Sequence, residues 1–255
     1  MAEPAEPNRR LPEGTIVDGR YQVLGPLARS GAAEVFRAQD RNLRRDVAMK
    51  LFCPSGSGSP RDRAEREAQL LARLNNPGVP AIYDVGAHDG LPYLVMQLVP
   101  GRPLPQLLAA EPIDGATIAM LGARVAGVLA HVHSRQVVHG DLRAANVVVG
   151  AAGAAWLLGF GKARLYDGAG GSEFAADVGT LGLLLSGCLE DQAIPGGAVR
   201  PLQRVLRDLT RPNPASRPDA GRCARLLVEA AARCSARDRR ASRPVAPTGE
   251  KLARP

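Results

Sequence analysis

The sequence has few cysteines, and their arrangement excludes two classes of small-protein scaffold. Four cysteines occur in the chain, at Cys53, Cys188, Cys223 and Cys234, and no two of them form a Cys-x-x-Cys pair. A structural zinc site needs clustered thiolate or imidazole ligands, and a disulfide framework needs a denser set of cysteines. We therefore expect neither kind of site, and we expect a reducing, cytoplasmic setting.

Long hydrophobic runs are also missing. No uninterrupted apolar run reaches the ~18 residues typical of a membrane-spanning helix, and the longest, around residues 181–189, is about half that length. The N-terminal stretch MAEPAEPNRR has no apolar segment, so we expect no secretory leader. With 255 residues and 45% apolar composition, the chain can form one domain or two closely packed lobes.

Positive charge is in excess, at a formal +8. Residues 235–255 contain six basic and two acidic side chains together with three prolines. This composition predicts a disordered basic tail over 235–255, and the Pro- and Glu-rich start predicts disorder over 1–13. An electrostatic tether of the tail to nucleic acid or anionic lipid is the alternative, and the charge alone also suggests a nucleic-acid binder. The tail has no aromatic side chain to stack on bases, so we do not expect nucleic acid as a partner.

Hydrophobic periodicity divides the rest of the chain into two parts. Alternating patterns predict strands in YQVLGPL, AEVFRAQD, DVAMKLF, AIYDVG and PYLVMQLV. Apolar side chains three and four apart then predict helices over 61–74, 118–132, 177–189, 199–209 and 219–232. This order predicts an α+β protein with a strand-rich N-lobe over about 14–99 and a helical C-lobe over about 103–234. We expect a crevice between the two lobes.

Eight segments occur in an order that carries a family resemblance. They are LGPLARSGAAEVFRA, VAMK, EREAQLLARLNNPGVPAIYDVG, YLVMQLVPG, HGDLRAAN, GFG, DVGTLG and NPASRPDA. Together they resemble the eukaryotic-type Ser/Thr protein kinases of bacteria, over residues 14–232. The resemblance implies a two-lobed kinase fold and a nucleotide-binding crevice.

The resemblance also implies roles for individual residues. Lys50 matches the lysine that holds the nucleotide phosphates, and Glu67 matches its helix partner. Asp141 matches the catalytic base, and Asn146 matches a metal ligand. The residues that match the nucleotide pocket are Leu27, Val35, Ala48 and Val148 as adenine walls, Met96 as gatekeeper, and the backbone of Gln97 and Val99 as hinge.

Several positions depart from the family pattern. Gly159 stands where the kinase pattern has the aspartate that chelates Mg²⁺, and a glycine has no side chain to do so. The first turn reads Ala28, Ser30 and Ala33 in place of three glycines. Gly140 replaces an arginine that reads a phosphorylated activation loop. Only 15 residues, 162–176, precede the helix aspartate Asp177, and no Ala-Pro-Glu follows GFG. We still expect Asp177 to cap the HGD loop from below, because the backbone N–H groups of that loop need an acceptor.

These departures predict a pseudokinase that acts by binding a protein partner. We expect no required cofactor, and ATP binding, where present, without strong Mg²⁺ dependence. The missing Ala-Pro-Glu leaves Arg217 without its usual glutamate, so Arg164 and Arg217 are candidate anchors for an acidic or phosphorylated segment. Pairing of each arginine with a local carboxylate such as Asp167 or Asp208 is the alternative.

Two other functions stay open on the sequence alone. A divergent active protein kinase would need another carboxylate in place of the missing one, and Asp167 is the nearest downstream candidate. A small-molecule phosphotransferase shares the HGD-x-x-x-x-N pattern and lacks an activation loop, although it too keeps an aspartate at the position of Gly159.

Overall fold

A computed structural model describes residues 11–30, 33–54, 58–168, 172–192, 194 and 196–241. The N-lobe contains β1 (Ile16–Val17), β2 (Tyr21–Ser30), β3 (Ala33–Asp40), β4 (Arg45–Phe52), α1 (Pro60–Ala72), β5 (Ile82–His88) and β6 (Leu91–Gln97). The C-lobe begins with β7 (Arg102–Pro103), α2 (Leu104–Ala110), α3 (Gly115–Ser134), β8 (Val137–Val138), β9 (Val147–Val149), β10 (Ala155–Leu157) and β11 (Arg164–Leu165). It ends with α4 (Glu173–Asp191), α5 (Gly196–Leu209) and α6 (Ala220–Ala241). The α+β fold class and the two lobes predicted from periodicity are confirmed.

The N-lobe is a six-stranded antiparallel sheet in the order β1-β2-β3-β4-β6-β5. Alternation along β3 buries Phe36 and Ala38 on one face, where they join Tyr21, Met49 and Tyr93 in a separate apolar cluster. Helix α1 crosses the other face. Its start is fixed by the Ser59 hydroxyl, which accepts from a first-turn N–H, and by the proline that follows.

The C-lobe is organised around α3. Asp114 caps this helix by accepting from the N–H of Thr117 at 2.6 Å, and its apolar side chains pack against α4, α5 and α6. Among the described residues, α3 is the single helix whose length and composition would allow a membrane crossing. In the apolar window of this helix that passes the test, 67% is buried inside the lobe, as expected of a core helix.

Two small sheets position the loops that face the crevice. Strands β7, β9 and β10 form a three-stranded sheet, and β8 pairs with β11. The HGDLRAAN segment therefore runs between β8 and β9, and GFG follows β10. Pairing of Val138 with Arg164 brings the ends of both loops together.

The structure corrects three boundaries from the sequence. Helix α2 was not predicted, although Leu104, Leu107 and Leu108 have helical spacing; the Pro-Gly-Arg-Pro stretch before them resembled a turn. Helix α6 continues to Ala241, so the disordered tail expected from residue 235 is wrong for 235–241, and residues 242–255 lie outside the described part. At the other end, Leu11 packs against the N-lobe cluster, within the stretch 1–13 that was expected to be disordered, and residues 1–10 are outside the described part.

Candidate active site of a protein kinase fold

Asp177 holds the HGD loop from below. This carboxylate on α4 is 3% exposed, and it accepts from the backbone N–H groups of His139 at 2.8 Å and Gly140 at 2.9 Å. The ring of His133 donates to the same carboxylate at 2.9 Å. Burial raises the pKa of Asp177, but these three donors lower it more, so the net pKa lies below its ordinary value. The predicted cap of the loop by Asp177 is present.

His139 is a fully buried packing residue of the same loop. Its Nδ1 accepts from the N–H of Asp141 at 3.2 Å, so the hydrogen must be on Nε2, which donates to the carbonyl of Leu158 at 2.9 Å. Phe160 packs edge-on against the ring, with centroids 4.8 Å apart. Burial lowers the pKa of His139, so the imidazole is kept neutral and acts as a spacer between the two loops.

Asp141 is surrounded by donors. Lys162 donates to its Oδ1 at 2.9 Å, the Asn146 amide donates to its Oδ2 at 3.1 Å, and Arg143 Nε lies 3.5 Å from Oδ2. Burial raises the pKa of Asp141, but the hydrogen bonds from Lys162 and Asn146 lower it further than burial raises it. The carboxylate is therefore ionised and already neutralised by its neighbours. Lys162 comes from the GFGK segment, and sequence spacing gave no indication of this pair.

Gly159 and Asn146 share one small space. Gly159 has a left-handed φ of +83°, and a Cβ added there would lie 2.7 Å from Asn146 Oδ1 and closer still to Nδ2. The Asn146 amide is fixed in this position because it also donates to the backbone carbonyl of Asp141 at 2.7 Å. The amide therefore fills the volume into which any side chain at position 159 would have to extend.

Lys50 and Glu67 form a two-oxygen ion pair. Lys50 Nζ lies 2.7 Å from Oε1 and 2.6 Å from Oε2 of Glu67, whose side chain is 4% exposed. Gly161, the second glycine of GFG, faces this pair: its Cβ position would lie 3.3 Å from Glu67 Oε2. The GFG segment thus contacts the C-lobe loop through Gly159 and the N-lobe ion pair through Gly161.

A comparison with known protein families shows which family has this sequence pattern. The sequence matches the protein kinase domain over residues 21–184, which is more than half of the chain.

The chain belongs to the protein kinase family.

Relatives among characterised proteins are bacterial serine/threonine-protein kinases. The DNA damage-responsive serine/threonine-protein kinase RqkA of Deinococcus radiodurans is 38% identical over 161 residues, which cover 62% of this chain and 24% of RqkA. PknD of Mycobacterium tuberculosis is 34% identical over 165 residues, covering 64% of this chain and 25% of PknD. PrkC of Bacillus subtilis is 32% identical over 139 residues, covering 53% and 22% respectively. The chain thus spans about a quarter of the length of these relatives.

The residues at the metal position of this kinase fold offer few ligands for Mg²⁺. A magnesium ion bound with nucleotide takes one or two carboxylates and keeps near-octahedral oxygen geometry. Over the described ranges, no group of three or more His, Cys, Asp or Glu side chains could hold a metal ion by itself. The one carboxylate present, Asp141, is paired with Lys162, and the Asn146 amide donates its hydrogens toward that carboxylate. The position that would add a second carboxylate is Gly159.

The apolar walls of the kinase nucleotide pocket lie on several strands. Cross-strand pairing places Ala48 opposite Met96, and Val35 opposite Lys50, in the N-lobe sheet. Ala48 is 8% and Val148 5% exposed, yet neither belongs to the two apolar clusters of the lobes. Both side chains are therefore buried without joining either of the two apolar clusters.

The remaining pocket residues are less enclosed. Leu27 is 49% exposed near the end of β2. The Gln97 N–H donates to the carbonyl of Ala81 at 2.8 Å, so that donor of the hinge is already used. Val99 follows β6 and is half-buried.

The first turn of the kinase N-lobe is a tight hairpin. Ser30 pairs directly with Ala33, and Ala28 pairs with Val35, so β2 and β3 are paired up to the turn. Residues 31 and 32, at the tip, lie outside the described part. The two strands are also joined by Arg29 Nε, which lies 3.0 Å from Glu34 Oε1. The substituted positions Ala28, Ser30 and Ala33 therefore all lie in paired strands, and Ala28 directly follows an irregularity in the pairing.

The two arginines considered as partner anchors differ. Arg164 lies 2.6 Å from the carboxylate of Glu173, so it pairs with a local carboxylate, as the alternative expected, although that residue is neither Asp167 nor Asp208. It also occupies the space beside Gly140, where a Cβ would lie 3.4 Å from its Nη1. Arg217 donates from Nη1 to the carbonyl of Ala175 at 2.8 Å and from Nε to that of Arg211 at 2.8 Å. Its guanidinium has no ion pair with a described carboxylate, since Asp208 pairs with Arg211.

The segment between GFG and α4 is short. Strand β11 ends at Leu165 and α4 begins at Glu173, which leaves seven residues, 166–172, between them. The N–H of Tyr166 donates to the carbonyl of Gln136 at 2.8 Å, and the ion pair of Arg164 with Glu173 closes the segment. Asp167, the alternative carboxylate considered above, is exposed within it.

Proposed function

We propose that this kinase-family chain is a pseudokinase that acts as a regulatory or scaffolding binding module. It binds nucleotide weakly or not at all, and any such binding does not depend on metal. The chemistry of the family transfers a phosphoryl group whose charge is neutralised by metal and by positioned donors. Loss of metal stabilisation, at several kcal/mol, reduces the rate by orders of magnitude, since ~1.4 kcal/mol corresponds to a factor of ten.

The observation that carries this proposal is the packing of Asn146 against Gly159. A missing carboxylate alone could be replaced by a neighbouring one that entered the same space. Here that space contains the Asn146 amide, which is tied to Asp141 by two hydrogen bonds. Entry of another carboxylate would require breaking both bonds.

The state of Asp141 supports the same conclusion. A general base must accept a proton from the attacking hydroxyl, and its efficiency rises with its pKa. Hydrogen bonds from Lys162 and Asn146 hold the pKa of Asp141 below its ordinary range, against the effect of burial. The carboxylate is a weak base that serves as an anchor between the two loops.

Phosphotransfer can be tested with radiolabelled ATP in Mg²⁺ or Mn²⁺, using the chain alone and with generic protein substrates. We expect no incorporation in the wild type and none in Asp141→Asn. Incorporation that disappears in Asp141→Asn would refute the proposal, whereas incorporation that persists in that variant would indicate a contaminating kinase.

Nucleotide binding gives an independent test. The residues that match the adenine walls are present in both lobes. At the phosphate end of the proposed nucleotide site Lys50 is present, but the aspartate that would bind a metal is replaced by Gly159. ATP and adenosine should therefore stabilise the chain with affinities within about tenfold of each other, a gap of ~1.4 kcal/mol. Thermal-shift titrations with and without Mg²⁺ measure this gap. A strong Mg²⁺-dependent preference for ATP would contradict the proposal.

The partner site that the geometry favours is the groove around Arg217. A cavity of about 450 Å³ lies between α3, α4 and the start of α6, lined by Phe174, Val178, Pro214, Arg217 and Asp219 among others. Arg217 is fixed by two carbonyls, which do not neutralise its charge. A carboxylate or phosphate of a partner segment could pair with the guanidinium at the floor of this groove. Arg164 is already paired with Glu173, so it can contribute only at the edge of this groove.

Fluorescence polarisation with acidic, phosphorylated and neutral versions of the same peptides would test this groove. Charge reversal by Arg217→Glu should abolish binding of the anionic peptides. Arg73→Glu is the matched control, because Arg73 is exposed at the end of α1 in the other lobe. Equal loss in both variants would assign the binding to net charge and exclude the groove.

A second candidate, a divergent active kinase, is favoured by one observation. The Lys50–Glu67 pair is intact and both oxygens of Glu67 contact the ammonium, as the family chemistry requires. This candidate needs a replacement carboxylate, and Asp167 is the nearest downstream candidate by sequence. The radiolabel experiment with Asp167→Asn would separate the two candidates, since only an active kinase has incorporation to lose.

A further inference from the structure

The positive charge of the chain is confined to its last quarter. Residues 1–195 contain 19 basic and 20 acidic side chains, whereas residues 196–255 contain 14 basic and five acidic ones. The first part is therefore nearly neutral at −1, and the second carries +9. Such asymmetry within one chain indicates an electrostatic interaction surface.

Helix α5 presents part of this charge as a single stripe. Arg200, Arg204 and Arg207 follow at intervals of four and three residues, which places them on one side of the helix, and Arg211 follows two residues after the helix ends at Leu209. The opposite side consists of buried apolar residues: Val199, Leu202, Val205, Leu206 and Leu209. All four arginines are exposed, so the stripe faces directly into solvent.

Helix α6, which packs against α5, carries a second row of exposed arginines. Arg222, Arg225, Arg233 and Arg237 are exposed along its outer side. The two helices pack against each other and on α3, and Arg237 Nη1 donates to the carbonyl of Gly197 at 3.0 Å. The end of α6 therefore lies against the start of α5. We call the eight arginines of these two rows the basic face.

Most of the basic face is not neutralised. Among the described residues, Asp208 pairs with Arg211 at 2.6 Å and Glu229 pairs with Arg233 at 3.3 Å. Arg200, Arg204 and Arg207 have no ion pair with a described carboxylate, and the same holds for Arg222 and Arg225. Repulsion between adjacent like charges on a helix is destabilising, so a surface of this kind gains free energy from an anionic partner.

The form of the basic face favours a flat partner. Two helices packed side by side on a core present a broad outer surface, whereas single-stranded nucleic acid is bound in a groove with aromatic side chains. No Phe, Tyr or Trp occurs after Phe174, so this region has nothing to stack on bases. Phosphate groups spread over a plane match solvent-facing arginines on two neighbouring helices. Basic clusters of four to eight residues are typical of surfaces that bind anionic lipid headgroups.

We propose that the basic face of α5 and α6 binds the surface of a membrane that contains anionic phospholipids. The contact is peripheral and electrostatic, because the basic face contains no exposed aromatic anchor. It is independent of the pseudokinase proposal, since the Arg217 groove and the crevice do not form part of it. The attraction acts over about one Debye length, ~10 Å at moderate salt, so it must weaken as salt is raised.

The test is co-sedimentation of the full chain with vesicles of phosphatidylcholine, with and without phosphatidylglycerol. The variant Arg200→Gln/Arg204→Gln/Arg207→Gln removes three unpaired charges from α5. The control Arg41→Gln/Arg66→Gln/Arg73→Gln removes three exposed charges from the N-lobe, with the same change in net charge. Thermal melts confirm that both triple variants are folded.

We expect salt-sensitive binding to the anionic vesicles alone. Each basic residue close to such a surface contributes about fivefold in affinity, so the α5 variant should bind roughly a hundredfold more weakly, and the N-lobe control should bind like the wild type. A wild type truncated after Ala241 should retain most of the binding. No binding to anionic vesicles, or equal loss in both triple variants, would overturn the proposal. So would tighter, arginine-dependent binding to duplex DNA or RNA at the same salt, which would assign the face to nucleic acid.

Discussion

Restoring the missing carboxylate by Gly159→Asp should destabilise the chain. The new Cβ would lie 2.7 Å from Asn146 Oδ1, so the amide would have to rotate away. Rotation breaks its hydrogen bonds to the carbonyl and the carboxylate of Asp141, at 2.7 and 3.1 Å. One of these is to a charged group, and together they stabilise the fold by about 2–4 kcal/mol.

The backbone adds a second cost. Gly159 has φ +83°, and a side chain in the left-handed region costs about 1–2 kcal/mol, less for Asp than for most residues. The sum is about 3–6 kcal/mol. Since about 1 kcal/mol shifts the Tm of a chain of this size by about 2–4 °C, a fall of roughly 6–24 °C is expected. Urea denaturation gives the same quantity as a free energy of unfolding.

A double-mutant cycle with Asn146→Ala isolates the contact. Removing the amide should itself destabilise the chain, but it also frees the space, so Gly159→Asp should then cost little more than the backbone strain. The two changes should be non-additive by about 2–4 kcal/mol, the contribution of the hydrogen bonds. Gly159→Ala is the control, because it adds the same Cβ without a charge. Additive effects, or a Gly159→Asp variant as stable as the wild type, would refute the reasoning about this shared space.

Three further predictions concern stability. Asp177→Asn should destabilise the chain by about 2–4 kcal/mol at neutral pH. Because the pKa of Asp177 is lowered in the fold, this contribution to stability is present above about pH 4 and is lost as the pH falls below it. A stability difference from the wild type that stayed constant down to pH 3 would contradict the assignment. Lys50→Met should lower the free energy of unfolding, measured in urea, by about 3–5 kcal/mol, because it leaves Glu67 buried and unpaired. The double variant Lys50→Met/Glu67→Leu should recover most of this loss. Equal stabilities of the two variants would argue against a buried pair. Truncation after Ala241 should leave the Tm unchanged, and truncation after Cys234 should lower it because a docked helical segment is removed; equal effects would contradict the docking of 235–241.

The elements of the fold could be predicted because their signals are local. Alternation in AEVFRAQD and three-and-four spacing around Glu67 depend on neighbours within a few residues, and both predicted the correct element. The cap of the HGD loop by Asp177 also followed, because buried N–H groups require an acceptor. Helix α6 was predicted too short because charged residues after Cys234 resemble a solvated tail, although Ala and Arg are strong helix formers.

The side-chain partners within the site could not be predicted. Lys162 reaches Asp141 across 21 positions, and Arg164 finds Glu173 rather than either of the carboxylates considered from sequence. Such choices depend on the direction of each loop as it leaves its strand, which periodicity does not contain. The occupation of the space beside Gly159 by Asn146 is of the same kind: the sequence indicates the lost carboxylate, and the structure adds what replaced it.

The ion pair of Arg164 with Glu173 affects how this molecule can respond to signals. A conformational switch needs a segment with two alternative resting arrangements that differ by several ångströms. The described ends of the segment are held by the pairing of β8 with β11, by the bond from the Tyr166 N–H to the carbonyl of Gln136, and by the ion pair of Arg164 with Glu173. If the chain is the binding module proposed above, a switch at this place has to break these contacts before the C-lobe surface beside them can change. The ion pair is partly exposed and contributes at most about 1 kcal/mol, so a change of charge at either of its residues would remove this contact at low energetic cost.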